Sequence, residues 1–144
     1  MKRKTKQKKF VFLQDIDPYF ADVLVCAGVS LEEAKRFVKK EFKPSFRKPF
    51  AEWLDSDKEL FDTLLRKEMK GYTIFDKKKI YLAILLQEVQ DDWQYWETLM
   101  HELHHLVEHV SNVRMLDDEI EAKAYLQEHL FRSIRRKLQG VEAV

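Results

Sequence analysis

Cysteine is almost missing from this chain. Its 144 residues contain one, Cys26, which excludes an intrachain disulfide, a disulfide-stapled secreted scaffold and a cysteine-rich zinc ribbon. Glycine and proline are scarce, with three of each, so few tight turns are encoded and the regular elements should be long. No apolar run reaches the roughly 18 residues that a transmembrane helix needs. Neither sign of charge dominates: the net charge is +1, so the chain as a whole is no electrostatic magnet for nucleic acid. With 45% hydrophobic and 35% charged residues, the composition is that of one globular domain able to bury a core.

The charge is nonetheless uneven at the N-terminus, where six of the first nine residues are Lys or Arg. The four apolar residues that follow give way to Gln14 and Asp15. That run is too short for a signal-peptide core, and no small-residue cleavage site follows it. The expectation is a disordered basic tail over 1–9, then a single domain over 10–144, in a cytoplasmic protein that meets no membrane. Contact with nucleic acid is expected only through residues 2–9.

Along the chain, YFADVLVCA (19–27) is apolar and β-branched, as a buried strand is, and Gly28 ends it. Ser30 followed three residues later by Glu33 is a capping-box pattern, which predicts a helix over 31–41. KPSFRKP (43–49) holds two prolines and reads as a loop. Residues 57–69 have helical spacing, with Gly71 placed to stop the helix. YTIF (72–75) and KIYLAILL (79–86) flank a charged turn and read as a hairpin. Long helices over about 92–110 and up to about 138 complete an α+β chain, with a small antiparallel-type sheet ahead of two C-terminal helices.

Four of the five histidines fall within ETLMHELHHLVEHV, residues 97–110. His101-Glu102-Leu103-His104-His105 matches H-E-x-x-H. Residues i and i+4 lie one turn apart on one helix face, so two imidazoles can reach one zinc ion, and the Glu after the first His can take a proton from water. At about 100° per residue, His105 falls about 40° and Glu102 about 100° from His101. Trp96, Leu99, Met100, Leu103, Leu106, Val107 and Val110 gather on the opposite side, which is the predicted core face.

A catalytic zinc takes three protein ligands and keeps one position open. A third His six residues past the second, preceded by a Gly at the midpoint, is absent: those positions are Ser111 and Glu108. The last helix offers Glu119, Glu121 and Glu128. Glu119 sits at the margin of that helix's apolar face beside Ala122, whereas Glu121 and Glu128 point to solvent. A carboxylate on a buried margin needs a partner, and a metal is one.

HELHH followed by EIEAKAY resembles the gluzincin side of the zincin superfamily, and in size is similar to minigluzincins and ImmA/IrrE-like peptidases. The resemblance covers residues 72–138. It implies a zincin-like fold, an active-site helix backed by a C-terminal helix, and Zn²⁺ on His101, His105 and Glu119 with Glu102 as general base. It also implies an edge strand that binds substrate backbone, which by its place before the helix would be Ile80, Tyr81, Leu82, Ala83, Ile84 and Leu85. Where such families carry Asp or Asn after the E-x-x-A alanine, this chain has Lys123. Thirteen residues separate His105 from Glu119.

The function so implied is zinc-dependent hydrolysis of a peptide or protein substrate. The alternative is a regulatory or interaction protein, of the kind mobile elements encode, that keeps fold and metal but cleaves nothing. His109, Tyr125 and Tyr81 are the side chains available to stabilise an oxyanion or to support the ligands.

Overall fold

A computed structural model describes residues 7–16, 21–76, 81–113 and 120–141. Strand Phe10–Ile16 (β1) leads into Ala21–Ala27 (β2), and three helices follow: Leu31–Glu41 (α1), Pro44–Asp55 (α2) and Lys58–Leu65 (α3). Gly71–Phe75 (β3) and Leu82–Leu86 (β4) come next, then the long helices Trp93–Val113 (α4) and Ile120–Leu138 (α5). The protein is α+β. The expected strand, first helix, hairpin and two C-terminal helices are all present.

The four strands form one sheet in the order β1-β2-β4-β3. The sheet is mixed rather than antiparallel throughout. β1 with β2 and β3 with β4 are antiparallel, but β2 with β4 is parallel. The reason is the connection: α1–α3 leave and return at the same end of the sheet, where the end of β2 and the start of β3 both flank Leu86, so β3 runs against the direction of β2 and β4, after the hairpin, runs along it. Leu24, Cys26, Ala83 and Leu85 pack on that face with α1, α2 and α3. Val25, Ala27, Leu82, Ile84 and Leu86 pack on the other with α4 and α5. The two central strands are covered on both faces, which is why LAILL and VLVCA read as continuous apolar runs.

Two sequence expectations need correction, and one element goes beyond them. The first is the proline-bearing stretch 43–49, which is not a loop: α2 begins at Pro44. A proline in the first turn lacks only a donor that would go unused there. Pro49 is inside the helix, and the carbonyl it leaves unserved belongs to Ser45 in the exposed first turn. Burial of Phe50, Ala51 and Leu54 on the core side outweighs that loss.

The second concerns Gly71, which does not end the preceding helix; it opens β3. α3 stops at Leu65, where Lys67 takes φ 61°. Lys67 N–H donates to the Leu64 carbonyl and Glu68 N–H to the Thr63 carbonyl, each at 3.0 Å, a Schellman closure made without glycine.

β1 is a strand that the sequence reading left unassigned. Gln14 is buried, and its carbonyl oxygen accepts from Lys137 Nζ at 2.8 Å and Ser133 Oγ at 3.3 Å on α5. A polar residue inside a strand is thereby satisfied from another element.

The capping box is formed as read. Glu33 N–H donates to Ser30 Oγ, and Ser30 N–H donates to Glu33 Oε1, each at 3.2 Å. Cys26 is buried in β2, and burial pushes its thiol well above its ordinary pKa, so it is an inert packing group. Among the described residues no helix is long and apolar enough to cross a membrane.

Candidate metal centre

The start of α4 is anchored to the loop that follows β4. Asp92 Oδ1 caps the helix by accepting from Tyr95 N–H at 2.9 Å. Tyr95 donates its hydroxyl to the Gln87 carbonyl at 2.8 Å, and Trp96 Nε1 donates to Asp91 Oδ1 at 2.8 Å. Tyr95 and Trp96 are core residues and Trp93 is exposed. From this anchor, the 3.6-residue period puts Leu99, Leu103, Leu106, Val107 and Val110 into the core as expected. Met100, at the edge of the predicted apolar arc, is instead partly exposed beside α5, where Gln127 Nε2 lies 3.2 Å from its sulfur.

The face left over carries the histidines. His101 and His105 are exposed, and their Nε2 atoms lie 3.2 Å apart. Two imidazole nitrogens on one tetrahedral zinc, each about 2.05 Å from it, are separated by about 3.3 Å. The side chains already hold the spacing that a shared ion requires.

Glu102 differs from the sequence picture. It is expected on the open face with the histidines, yet only 6% of it is exposed. β3 covers it. Thr73, itself buried, places its hydroxyl 2.8 Å from Glu102 Oε1 and 3.0 Å from the Glu102 carbonyl oxygen, so one donor faces two acceptors. Gly71 makes the close approach of strand to helix feasible. A Cβ there would stand 2.9 Å from Thr98 Cγ2 and 3.3 Å from Glu102 Cγ. A groove of about 460 Å³ opens beside the pair, with Lys70, Gly71, His101 and Glu102 among its walls.

Thr73 and Gly71 carry no sequence signal for this role, because the contact joins residues 29 apart in the chain. Thr73→Val keeps the shape and removes the donor. It is expected to destabilise the fold by about 1–3 kcal/mol, while Thr73→Ser recovers most of the loss. Urea unfolding of the three proteins checks this.

The remaining candidates separate. His109 is half-buried one turn beyond His105 and stacks on Phe75 of β3, with ring centroids 3.9 Å apart and planes inclined by 15°. Tyr125 is exposed on α5. Tyr81 packs against Phe50 and Trp53, at 5.0 and 5.5 Å, on the far face of the sheet from α4. It is therefore removed from the histidines and cannot serve an oxyanion there. His104 and His129 are exposed. Lys123 Nζ lies 3.5 Å from Glu108 Oε2 and ties α5 to the histidine-bearing side of α4.

The substrate strand is also corrected. Leu82, Ala83, Ile84 and Leu85 lie in an interior strand, paired with β3 on one side and, from Ala83 onward, with β2 on the other. From Ala83 to Leu85 the strand is paired on both sides, so no peptide can add there. The free edge on this side is β3. Ile80 and Glu119 lie outside the described residues. Among the described residues, no three His, Cys, Asp or Glu side chains converge on one point.

Comparison with known proteins returned no matching family model, no matching curated protein and no matching solved structure.

Proposed function

We propose that this chain is a zinc-dependent metallopeptidase of the zincin type. The observation that carries the reading is the 3.2 Å separation of His101 and His105 Nε2, with Glu102 on the same helix between them. His101, His105 and, by the E-x-x-A resemblance, Glu119 would hold the ion. When bound, zinc supplies Lewis-acid polarisation and lowers the pKa of water toward 7.

The chain's own residues do the rest. The Glu102 carboxylate accepts a proton from the attacking water and returns it to the departing amine. Thr73 holds that carboxylate under β3, away from bulk solvent. The β3 edge offers main-chain groups with which an extended peptide can pair, aligning its carbonyl with the groove. His109 and Tyr125 remain the candidates to support an oxyanion. Lys70, on the groove wall, adds positive charge where a substrate carboxylate or carbonyl would approach.

Metal content tests the reading most directly. Purified wild type is expected to carry about one zinc per chain, and both His101→Ala and Glu119→Ala are expected to lose most of it on dialysis, read by mass spectrometry. A wild type that takes up no zinc when it is supplied would end the metallopeptidase reading. Zinc held equally well by Glu119→Ala would mean a different third ligand.

A further inference from the structure

The sheet has two edge strands. At one edge β3 spans 5 residues beside the candidate metal centre; at the other β1 spans 7. β1 pairs with β2 in unbroken register from Phe10–Ala27 to Ile16–Ala21, without a bulge. It holds no proline and no lysine, and no strand among the described residues pairs with its outer side. Lysines, prolines and bulges are the usual means of blunting an edge, because unpaired main-chain groups are a template for another strand.

Which groups face outward follows from the bonding of the neighbouring strand. Gly28 N–H donates to the Leu86 carbonyl of β4, so alternate residues of β2 turn to β4, and Ala27, Val25, Val23 and Ala21 turn to β1. Their partners on β1 are Phe10, Phe12, Gln14 and Ile16. The Lys8 carbonyl fits this alternation, since it accepts from Val89 N–H at 2.8 Å on the inner side. The N–H and C=O groups of Lys9, Val11, Leu13 and Asp15 therefore point away from the sheet. The Asp15 carbonyl also accepts from Gln14 Nε2 at 3.1 Å, which leaves its second lone pair.

The side chains of these same residues share one face. Val11 and Leu13 are half-buried against the α1–α3 cluster, and Lys9 and Asp15 are exposed. Along that face the order is Lys, Val, Leu, Asp, which complements itself when reversed. Antiparallel pairing of two copies about Phe12 sets Lys9 opposite the partner's Asp15 and Val11 opposite the partner's Leu13. A shift of the register to the next pairing on one side sets Val11 opposite Asp15. A shift to the other side sets Lys9 opposite Leu13.

Asp15 also lacks a counter-charge within the chain. Its cross-strand partner is Asp22, and like charges directly opposite destabilise a strand pair. Burial, and then the charge of Asp15, raise the Asp22 carboxyl above its ordinary pKa. No salt bridge among the described residues reaches either carboxylate.

We infer that the β1 edge is a self-association surface, on which a second copy of this chain pairs through its own β1 in the register Lys9–Asp15 and Val11–Leu13. The contact is isologous, closed by a two-fold axis through Phe12. Charge complementarity selects the occupant: the strand that matches this order of charges is β1 itself. The two sheets then run on as one, with a β3 edge left free at either end. The contact uses no residue of the metal centre, so the inference stands apart from the peptidase reading.

The test is sedimentation equilibrium of the full chain over a roughly hundredfold range of concentration, where a monomer–dimer equilibrium is expected. Lys9→Asp and Asp15→Lys each set like charges opposite one another at both ends of the ladder. Each is expected to weaken the dimer at least about tenfold. Neither should lower the thermal midpoint of the dilute protein by circular dichroism, because Lys9 precedes the strand and Asp15→Lys turns a repulsion with Asp22 into an attraction. Two further results single out the register. The double variant Lys9→Asp/Asp15→Lys restores opposite charges and should recover wild-type association. The two single variants, when mixed, should pair with each other more tightly than either pairs with itself.

A monomer at every concentration would overturn the proposal. So would a dimer indifferent to both reversals, which would lie on another surface. Failure of both the double variant and the mixture to recover association would overturn the register.

Discussion

Glu102→Gln is expected to leave the fold and the zinc content of the protein unchanged while cutting peptide hydrolysis by about 10²- to 10⁴-fold, the range for a lost general base. The structure makes this substitution unusually clean. Gln keeps the length and shape of Glu, and its amide oxygen can still accept from Thr73 Oγ1, which lies 2.8 Å from the carboxylate. Because Glu102 is not among the proposed ligands, metal binding has no reason to change. Cleavage of a fluorescence-quenched peptide library, read beside zinc content and urea stability, separates the possibilities. Full activity in the variant would remove Glu102 from the chemistry. Joint loss of activity and zinc would make it a ligand instead. Abolished activity with zinc and stability intact is the pattern expected of a base.

Gly28→Ala is expected to be strongly destabilising, costing at least about 2 kcal/mol from left-handed strain and overpacking together. Gly28 follows β2 with φ +69°, a conformation that L side chains rarely adopt, and its N–H donates to the Leu86 carbonyl at 2.9 Å. A Cβ there would stand 2.6 Å from the Glu88 Cα, so the backbone itself would have to move. That backbone belongs to the connection from β4 to α4, which sets the start of the histidine-bearing helix. Gly140→Ala is the control. Its φ is +74°, but a Cβ would meet nothing within 4 Å, so only the conformational cost of about 1 kcal/mol remains. Urea unfolding of both variants should show a fall in midpoint for Gly28→Ala at least twice that for Gly140→Ala. Equal midpoints would mean that the contact with Glu88 relaxes without cost.

Much of this molecule is written locally. The α1 capping box, the continuous apolar runs of β2 and β4, and the core face of α4 follow from spacings of two to four residues. Each is visible in one short window. Errors arose where a local rule met a distant partner. Two prolines argued for a loop at 43–49, but Phe50 and Leu54 reach the core from that segment and hold it helical. No strand was assigned around Gln14, whose side chain a lysine and a serine of α5 satisfy. Tyr81 was one of three candidates for the oxyanion, but the alternation that puts Ala83 and Leu85 on the α1–α3 face puts Tyr81 there too, against Phe50 and Trp53.

What the sequence determined by itself is the pairing of His101 with His105, since the helical repeat alone puts residues four apart on one face. It also determined that Glu102 lies beside them. Only the tertiary structure decided that Glu102 is buried, that Thr73 is its partner, and that β3 rather than β4 is the free edge next to it. The physical reason is one of range. The repeat of a helix or strand is a property of neighbouring residues. The order of strands in a sheet depends on β2 pairing with β4 from nearly sixty residues upstream, through burial and hydrogen bonds that no local window contains.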